Sequence, residues 1–268
     1  MVDSPYLVKP GKKFNLDKAD PDDTGKFKNR DEAKAVTEKN LAELDELQQV
    51  LYAQAKHAIL VVFQAMDAGG KDGAIDYMFS GVNPQGCSVS SFKSPSSLEL
   101  AHDYLWRYHQ AVPAKGMIGI FNRSHYEDVI VPRVRGWIDK KTWTERYEQI
   151  NDFERMLSLN GVVILKFMLH ISRDEQKKRL LDRLTDESKN WKFRAGDLDD
   201  RKQWDDFTKA YRGLLQRTNT KWAPWFVVPA DDKSVRDYLV ARTIADTMKR
   251  LKLEYPPADP SVIGLKIE

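Results

Sequence analysis

Lys71 stands directly behind two adjacent glycines in the run Val61-Val62-Phe63-Gln64-Ala65-Met66-Asp67-Ala68-Gly69-Gly70-Lys71-Asp72-Gly73. Small residues let backbone N–H groups approach phosphate oxygens, a following helix offers the positive end of its dipole, and a lysine reaches the outer phosphates. Ala68, Gly69, Gly70, Asp72 and Gly73 are therefore candidate phosphate-binding positions, with Lys71 as the catalytic cation. The pattern G-x-x-x-x-G-K-[ST] nevertheless fails twice, with Ala65 in place of the first glycine and Asp72 in place of the magnesium-holding hydroxyl. A plain strand-to-helix turn would account for the glycines. It would not account for a cation at a helix start, which opposes the dipole unless an anion lies there.

Magnesium takes one or two protein oxygens and completes its shell with phosphate and water. Asp67, inside the loop, can supply one of them or align an attacking phosphate oxygen; as a turn residue it would only hydrogen-bond its own backbone. Asp72 reads more naturally as a first-turn helix carboxylate. A second group follows the strand Met117–Phe121, in Asn122-Arg123-Ser124-His125-Tyr126-Glu127-Asp128. Arg123 is a fixed fork suited to phosphate oxygens, or else a salt-bridge partner of Glu127. His125 and Tyr126 read as packing residues. A third group, Arg179, Arg183, Lys189, Lys192 and Arg194, lies in the charged segment Arg179–Arg201, either a solvated face or a surface for a polyanion. Arg179 and Arg183, four apart, share one helix face.

These groups need elements to hold them. Apolar residues at three- and four-residue spacings predict a helix from Asp31 to Lys56, and the unbroken run Ala58–Phe63 predicts a strand covered on both faces. Further strands are expected at Cys87–Phe92, Met117–Phe121, Val162–Met168 and Trp225–Val228. Helices are expected at Leu98–Gln110, Val129–Leu159, Asp174–Leu184 behind the capping box Ser172-x-x-Glu175, and Val235–Leu253. The alternation predicts a doubly wound five-stranded parallel α/β sheet, whose ligands sit beyond the carboxyl ends of the strands. Residues 1–30 read as an N-terminal arm, 31–255 as the main domain, with the charged segment at about 179–201 inside it, and 256–268 as a tail.

Composition narrows the function classes. With 43 Lys+Arg against 40 Asp+Glu the net charge of +3 is too small to predict a nucleic-acid partner, so any anion site is local. A single cysteine, Cys87, cannot form an internal disulfide, and the N-terminal stretch has no apolar signal core, which predicts a cytoplasmic protein. No apolar run approaches the roughly 20 residues of a membrane span. Trp137, Trp143 and Trp222 sit among apolar residues and read mostly as core.

Taken together, VVFQAMDAGGKDG, IGIFNRSHYEDVIVPRV, INDFERML and LKFMLHISRDEQKKRLLDRL with the later NWKF resemble the polyphosphate kinase 2 family over about residues 30 to 255. The resemblance implies reversible phosphoryl transfer between inorganic polyphosphate and a nucleotide, with Mg²⁺, on a P-loop kinase fold with a helical lid, in a homo-oligomer (dimer or tetramer). It casts Asp67, Lys71 and Arg123 as the catalytic residues and the basic run as a polyphosphate-binding lid surface. The commonest family form, F-D-R-S-W-Y, reads F-N-R-S-H-Y here, with Asn122 where a metal-holding acidic residue is usual. Asn122 can still accept from metal-bound water, which leaves Asp67 and Asn122 as the metal candidates. Asn122, Glu127 and Asp128 are the candidates for holding the nucleotide, and this form is similar to the subgroup that accepts both mono- and diphosphates. Two rival readings remain: an ATP-dependent nucleotide or small-molecule kinase, which would be expected to carry Ser or Thr at position 72, and a non-enzymatic polyanion- or RNA-binding protein.

Overall fold

Eight buried residues in a row, Ala58–Ala65, make strand β1, as an apolar run covered on both faces requires. The computed structural model describes residues 4–265; residues 1–3 and 266–268, the ends of the expected arm and tail, lie outside the described residues. Strands β2 (Cys87–Ser91), β3 (Ile118–Asn122), β4 (Val162–His170) and β5 (Trp225–Pro229) complete one sheet in the order β2-β3-β1-β4-β5. All four pairings are parallel, so the expected doubly wound five-stranded α/β sheet is present. The chain steps to one side of β1 for β2 and β3 and to the other for β4 and β5. The switch point, where such sheets bind ligands, is therefore the carboxyl end of β1.

Helices α1 (Arg30–Gln54), α2 (Lys71–Phe79) and α10 (Lys233–Arg250) pack on one another, as do α5 (Glu127–Val134), α6 (Lys140–Leu159) and α9 (Trp204–Arg217). Side chains alternate across β4. Lys166 reaches Glu154 of α6 at 2.7 Å, while the next residue, Phe167, packs between Phe63 and Phe226 in the opposite layer. The remaining helices are α3 (Ser97–Leu100), α4 (Trp106–Gln110), α7 (Arg173–Thr185) and α8 (Ala195–Lys202).

Several elements differ from the sequence reading. The expected helix 98–110 is two short helices, α3 and α4, and the stretch 129–159 is broken between α5 and α6, where Gly136 turns the chain at a φ of 68°. Helix α9 went unread, although its buried residues Phe207, Ala210, Tyr211, Leu214 and Leu215 keep helical spacing. Trp137 and Trp222 are exposed rather than core, and Trp143 is only partly buried. The N-terminal arm is a packed strap: Leu7 bridges Phe226, Val8 N–H donates to Trp225 O at 2.9 Å, and Val8, Leu16 and Phe27 are buried. Its apolar anchors are too widely spaced to show a period. Among the described residues no helix is long and apolar enough to cross a membrane.

Candidate active site

The glycine loop links β1 to α2 at the switch point. Ala68 takes a φ of 59° and Gly70 a φ of 91°, left-handed conformations that only glycine adopts freely. A Cβ on Gly70 would lie 2.4 Å from Arg236 Nη1 and 3.2 Å from Arg179 Nη1, and one on Gly69 would lie 2.4 Å from Ala65 Cβ. The glycines thus serve close approach as well as backbone angle.

The loop's carbonyls are held by side chains of α7 and α10. Gln176 Nε2 donates to Asp67 O at 3.0 Å, Arg179 Nη1 to Ala68 O at 3.2 Å, and Arg236 Nη1 to Gly70 O at 3.2 Å. Arg179, 8% exposed, also donates to Ala230 O and pairs with Glu175 at 2.8 Å. It braces the loop at the base of α7, while Arg183, one turn on, pairs with Asp197 of α8 at 3.2 Å.

In front of the loop lies a cleft of about 1120 Å³. Lys71, only 9% exposed, donates to Ala65 O at 3.1 Å. Burial and then the charge of Arg123 pull its pKa down, against Glu127, Asp67 and Asp72. Arg123, at a left-handed φ of 64°, holds its guanidinium 3.9 Å from Asp67 Oδ1. Such strain persists at a non-glycine residue only where the surroundings fix it. The fixing groups are adjacent: Ser124 lies against the Gln64 amide, and His125 and Tyr126 are fully buried. Tyr126 Oη donates to Glu154 Oε1 at 2.6 Å, and His125 Nε2 lies 3.2 Å from the same oxygen. Lys166 completes this network with bonds of 2.7 Å to Glu154 and 2.8 Å to the Tyr126 hydroxyl.

The two neighbouring carboxylates Glu127 and Asp128 diverge. Glu127 lines the cleft beneath Lys71 and Arg123, takes a 2.8 Å bond from the Gln64 amide, and is pushed above its ordinary pKa by burial. Asp128 turns to Tyr108, whose hydroxyl donates to it at 2.5 Å, and lines a second cavity. Asn122 donates to Asp72 at 2.6 Å, so both sit at the mouth of the loop. Lys189 pairs with Asp186 at 2.5 Å, Lys192 covers the Trp191 ring at 5.0 Å, and Arg194 precedes α8 as its N-cap; all three line the cleft.

Four groups escaped the sequence reading. Lys233 and Arg236 are cations in the first turn of α10, the signal that marked Lys71, and both line the cleft. Gln176 and Asp200 carried no such mark. Asp200, from α8, hydrogen-bonds Asp67; burial, then that bond and that charge, push it up to about 7. Burial would raise Asp67 as well, but the bond with Asp200 and the charges of Lys71 and Arg123 hold it below the usual carboxylate range. Among the described residues no group of three or more His, Cys, Asp or Glu could hold a metal ion alone. A carboxylate pair facing a cation-lined cleft suits a divalent cation that draws its other ligands from phosphate and water.

A family model described as polyphosphate kinase 2 matches residues 27–256. The chain is 48% identical to an AMP/ADP-polyphosphate phosphotransferase of Meiothermus ruber over 98% of this chain and 99% of that protein. It is 43% identical to an ADP-polyphosphate phosphotransferase of Rhodopseudomonas palustris, over 96% and 93% of the two chains. The solved structure of polyphosphate kinase 2 from Arthrobacter aurescens TC1 superposes with a TM-score of 0.91 at 42% identity, covering 95% of this chain and 91% of that one. With a phosphate-loop geometry at its switch point and likeness along nearly its whole length, the chain belongs to the polyphosphate kinase 2 family.

Proposed function

We propose that the chain transfers phosphoryl groups reversibly between inorganic polyphosphate and a nucleotide, with AMP and ADP as acceptors. The observation that carries this reading is the cation-rich lining of the cleft at the carboxyl end of β1, eleven Lys and Arg against eight Asp and Glu. Lys71 is buried and its charge is disfavoured by burial and partly by Arg123, so an anion beside it restores that charge. Phosphoryl transfer needs positioning and charge stabilisation more than covalent help.

Lys71 and Arg123 would neutralise the oxygens of the transferred group, with Glu127 beneath them holding both cations in place. The loop backbone would cradle the phosphates, while Arg183, Lys189, Lys192 and Arg194, on the 179–201 segment, would extend the cationic path along a polyphosphate chain. Asp67, with Asn122 and Asp200 beside it, would hold Mg²⁺, which when bound neutralises phosphate charge and aligns the acceptor oxygen. No side chain need take a proton from a phosphate acceptor.

Incubating the protein with ADP or AMP, Mg²⁺ and either polyphosphate or ATP as donor, and following the nucleotides formed, tests the reading. Turnover with polyphosphate is expected; turnover with ATP alone would favour the ATP-dependent kinase, and binding without turnover the polyanion-binding protein.

A further inference from the structure

Two indole rings in the cleft have no part in phosphate chemistry. Trp137 is 70% exposed and Trp191 76% exposed, and both line the cleft that holds the glycine loop. The third exposed tryptophan, Trp222, lies outside it with Arg155 over its ring. Leaving large aromatic faces in water is unfavourable unless something covers them.

The Trp191 ring is held by its own turn, and the Trp137 backbone is anchored by its own. Trp191 Nε1 donates to Ser188 O at 2.9 Å, and Lys192 Nζ sits 5.0 Å from the ring centroid. Trp137 follows the Gly136 turn, its N–H donating to Pro132 O at 2.8 Å. Two residues earlier, Arg135 binds Asp200 and Gln203, which fastens the Trp137 segment to the junction of α8 and α9. One ring therefore comes from the 3₁₀ turn Glu187–Lys192 and the other from the α5–α6 turn.

Polyphosphate is an anionic chain without apolar surface and has use only for the cations. A nucleotide is anionic at one end and aromatic at the other. A cleft with Lys71 and Arg123 at its base and indoles in its wall matches the second shape. We propose that Trp191, together with Trp137, forms the platform on which the nucleobase of the acceptor nucleotide stacks; this rests on the polyphosphate:nucleotide reading above. Stacking reads ring area rather than the hydrogen-bonding edge, so purines differ from pyrimidines more than adenine differs from guanine.

The first measurement is binding without turnover: tryptophan fluorescence titrated with ADP in the absence of polyphosphate. Quenching is expected in the wild type and largely lost in Trp191→Ala, whatever the phosphoryl donor proves to be. The second is steady-state kinetics with ADP and polyphosphate. Trp191→Ala is expected to raise the KM for ADP by about 5- to 150-fold, the range that base–aromatic stacking supports, with the KM for polyphosphate unchanged. Trp137→Ala should do so to a smaller extent, and Trp191→Phe should restore most of the affinity. Ribose 5-phosphate, which lacks a base, should inhibit wild type and Trp191→Ala equally. An unchanged KM for ADP in both alanine variants overturns the proposal. So does a Trp191→Ala variant that changes only subunit association in sedimentation. Absent polyphosphate turnover in the wild type with quenching intact would instead overturn the donor assignment and keep the platform.

Discussion

Replacing Glu154 by Gln should destabilise the protein by about 3–5 kcal/mol, the usual loss when one partner of a buried ion pair is removed. Glu154 and Lys166 are both fully buried, and the Lys166 ammonium would lose the carboxylate's charge and be left with neutral acceptors, among them the Tyr126 hydroxyl at 2.8 Å and the Thr218 carbonyl at 2.7 Å. At about 2–4 °C per kcal/mol for a chain near this size, the midpoint of thermal unfolding falls by roughly 6–20 °C. Lys166→Met should cost a similar amount, leaving Glu154 as the unpaired charge. The double variant removes both charges and should lose well under the sum of the single losses, by more than about 1 kcal/mol of coupling. The pH dependence has a defined sign. Burial pulls Lys166 down to about 8, against the pull of Glu154, whereas an unfolded lysine titrates near 10.4. Between those values the unfolded chain binds a proton that the folded chain has released, so this group's contribution rises with pH from about 8 and is complete above about 10.4. Calorimetry across that window should find the rise in the wild type and not in Lys166→Met. Single losses worth less than roughly 3 °C, or losses that simply add, would refute the claim that this pair is a coupled, desolvated unit.

The remaining expectations concern the cleft. Lys71→Ala, Asp67→Asn and Arg123→Ala should each lower kcat with ADP and polyphosphate by roughly 10²- to 10³-fold while circular dichroism stays that of the wild type; more than half the wild-type rate in Lys71→Ala would end the phosphate-loop reading. Gly70→Ala must place a Cβ in a left-handed conformation, at about 1–2 kcal/mol, and displace the Arg236 guanidinium. It should lose both thermal stability and polyphosphate turnover, whereas Gly73→Ala, with open space at its Cβ, should keep its unfolding midpoint. Arg183→Ala should raise the KM for polyphosphate and change its salt dependence, because clustered cations on a polyanion are screened. Lys189→Ala, already paired with exposed Asp186, should do so less.

The chemistry that local spacing encodes was legible in the sequence. Lys71 announced itself as a cation where a helix dipole opposes one, and Arg123 by following a buried strand. The sheet was legible because four of its five strands, β1, β3, β4 and β5, are largely apolar and buried, edge strand β2 being mostly exposed. What could not be read was direction and distance. Glu127 and Asp128 are neighbours on one helix, yet one lines the cleft and the other faces Tyr108; only the packing of α5 decides which. Arg179 was found at the right spacing beside Arg183 and lines the same cleft, but only the fold shows that its guanidinium is engaged by the carbonyls of Ala68, Ala230 and Asp231. Asp200 meets Asp67 across 132 intervening residues of chain, and nothing near it in sequence sets it apart from other surface carboxylates. Trp137 was misread because apolar neighbours mark a core only inside a regular element, and it sits in a turn.

The side chains that hold the glycine loop's carbonyls also set the direction of its amides. A trans peptide is planar, so its C=O and N–H point to opposite sides. With Gln176 gripping the Asp67 carbonyl and Arg236 the Gly70 carbonyl, the Ala68 and Lys71 N–H groups are turned away from those grips. A peptide flip in this loop would have to break a bond to a side chain first. The ordering of these dipoles is thus completed during folding and need not be repeated each time a substrate enters, which favours binding by removing a reorganisation step.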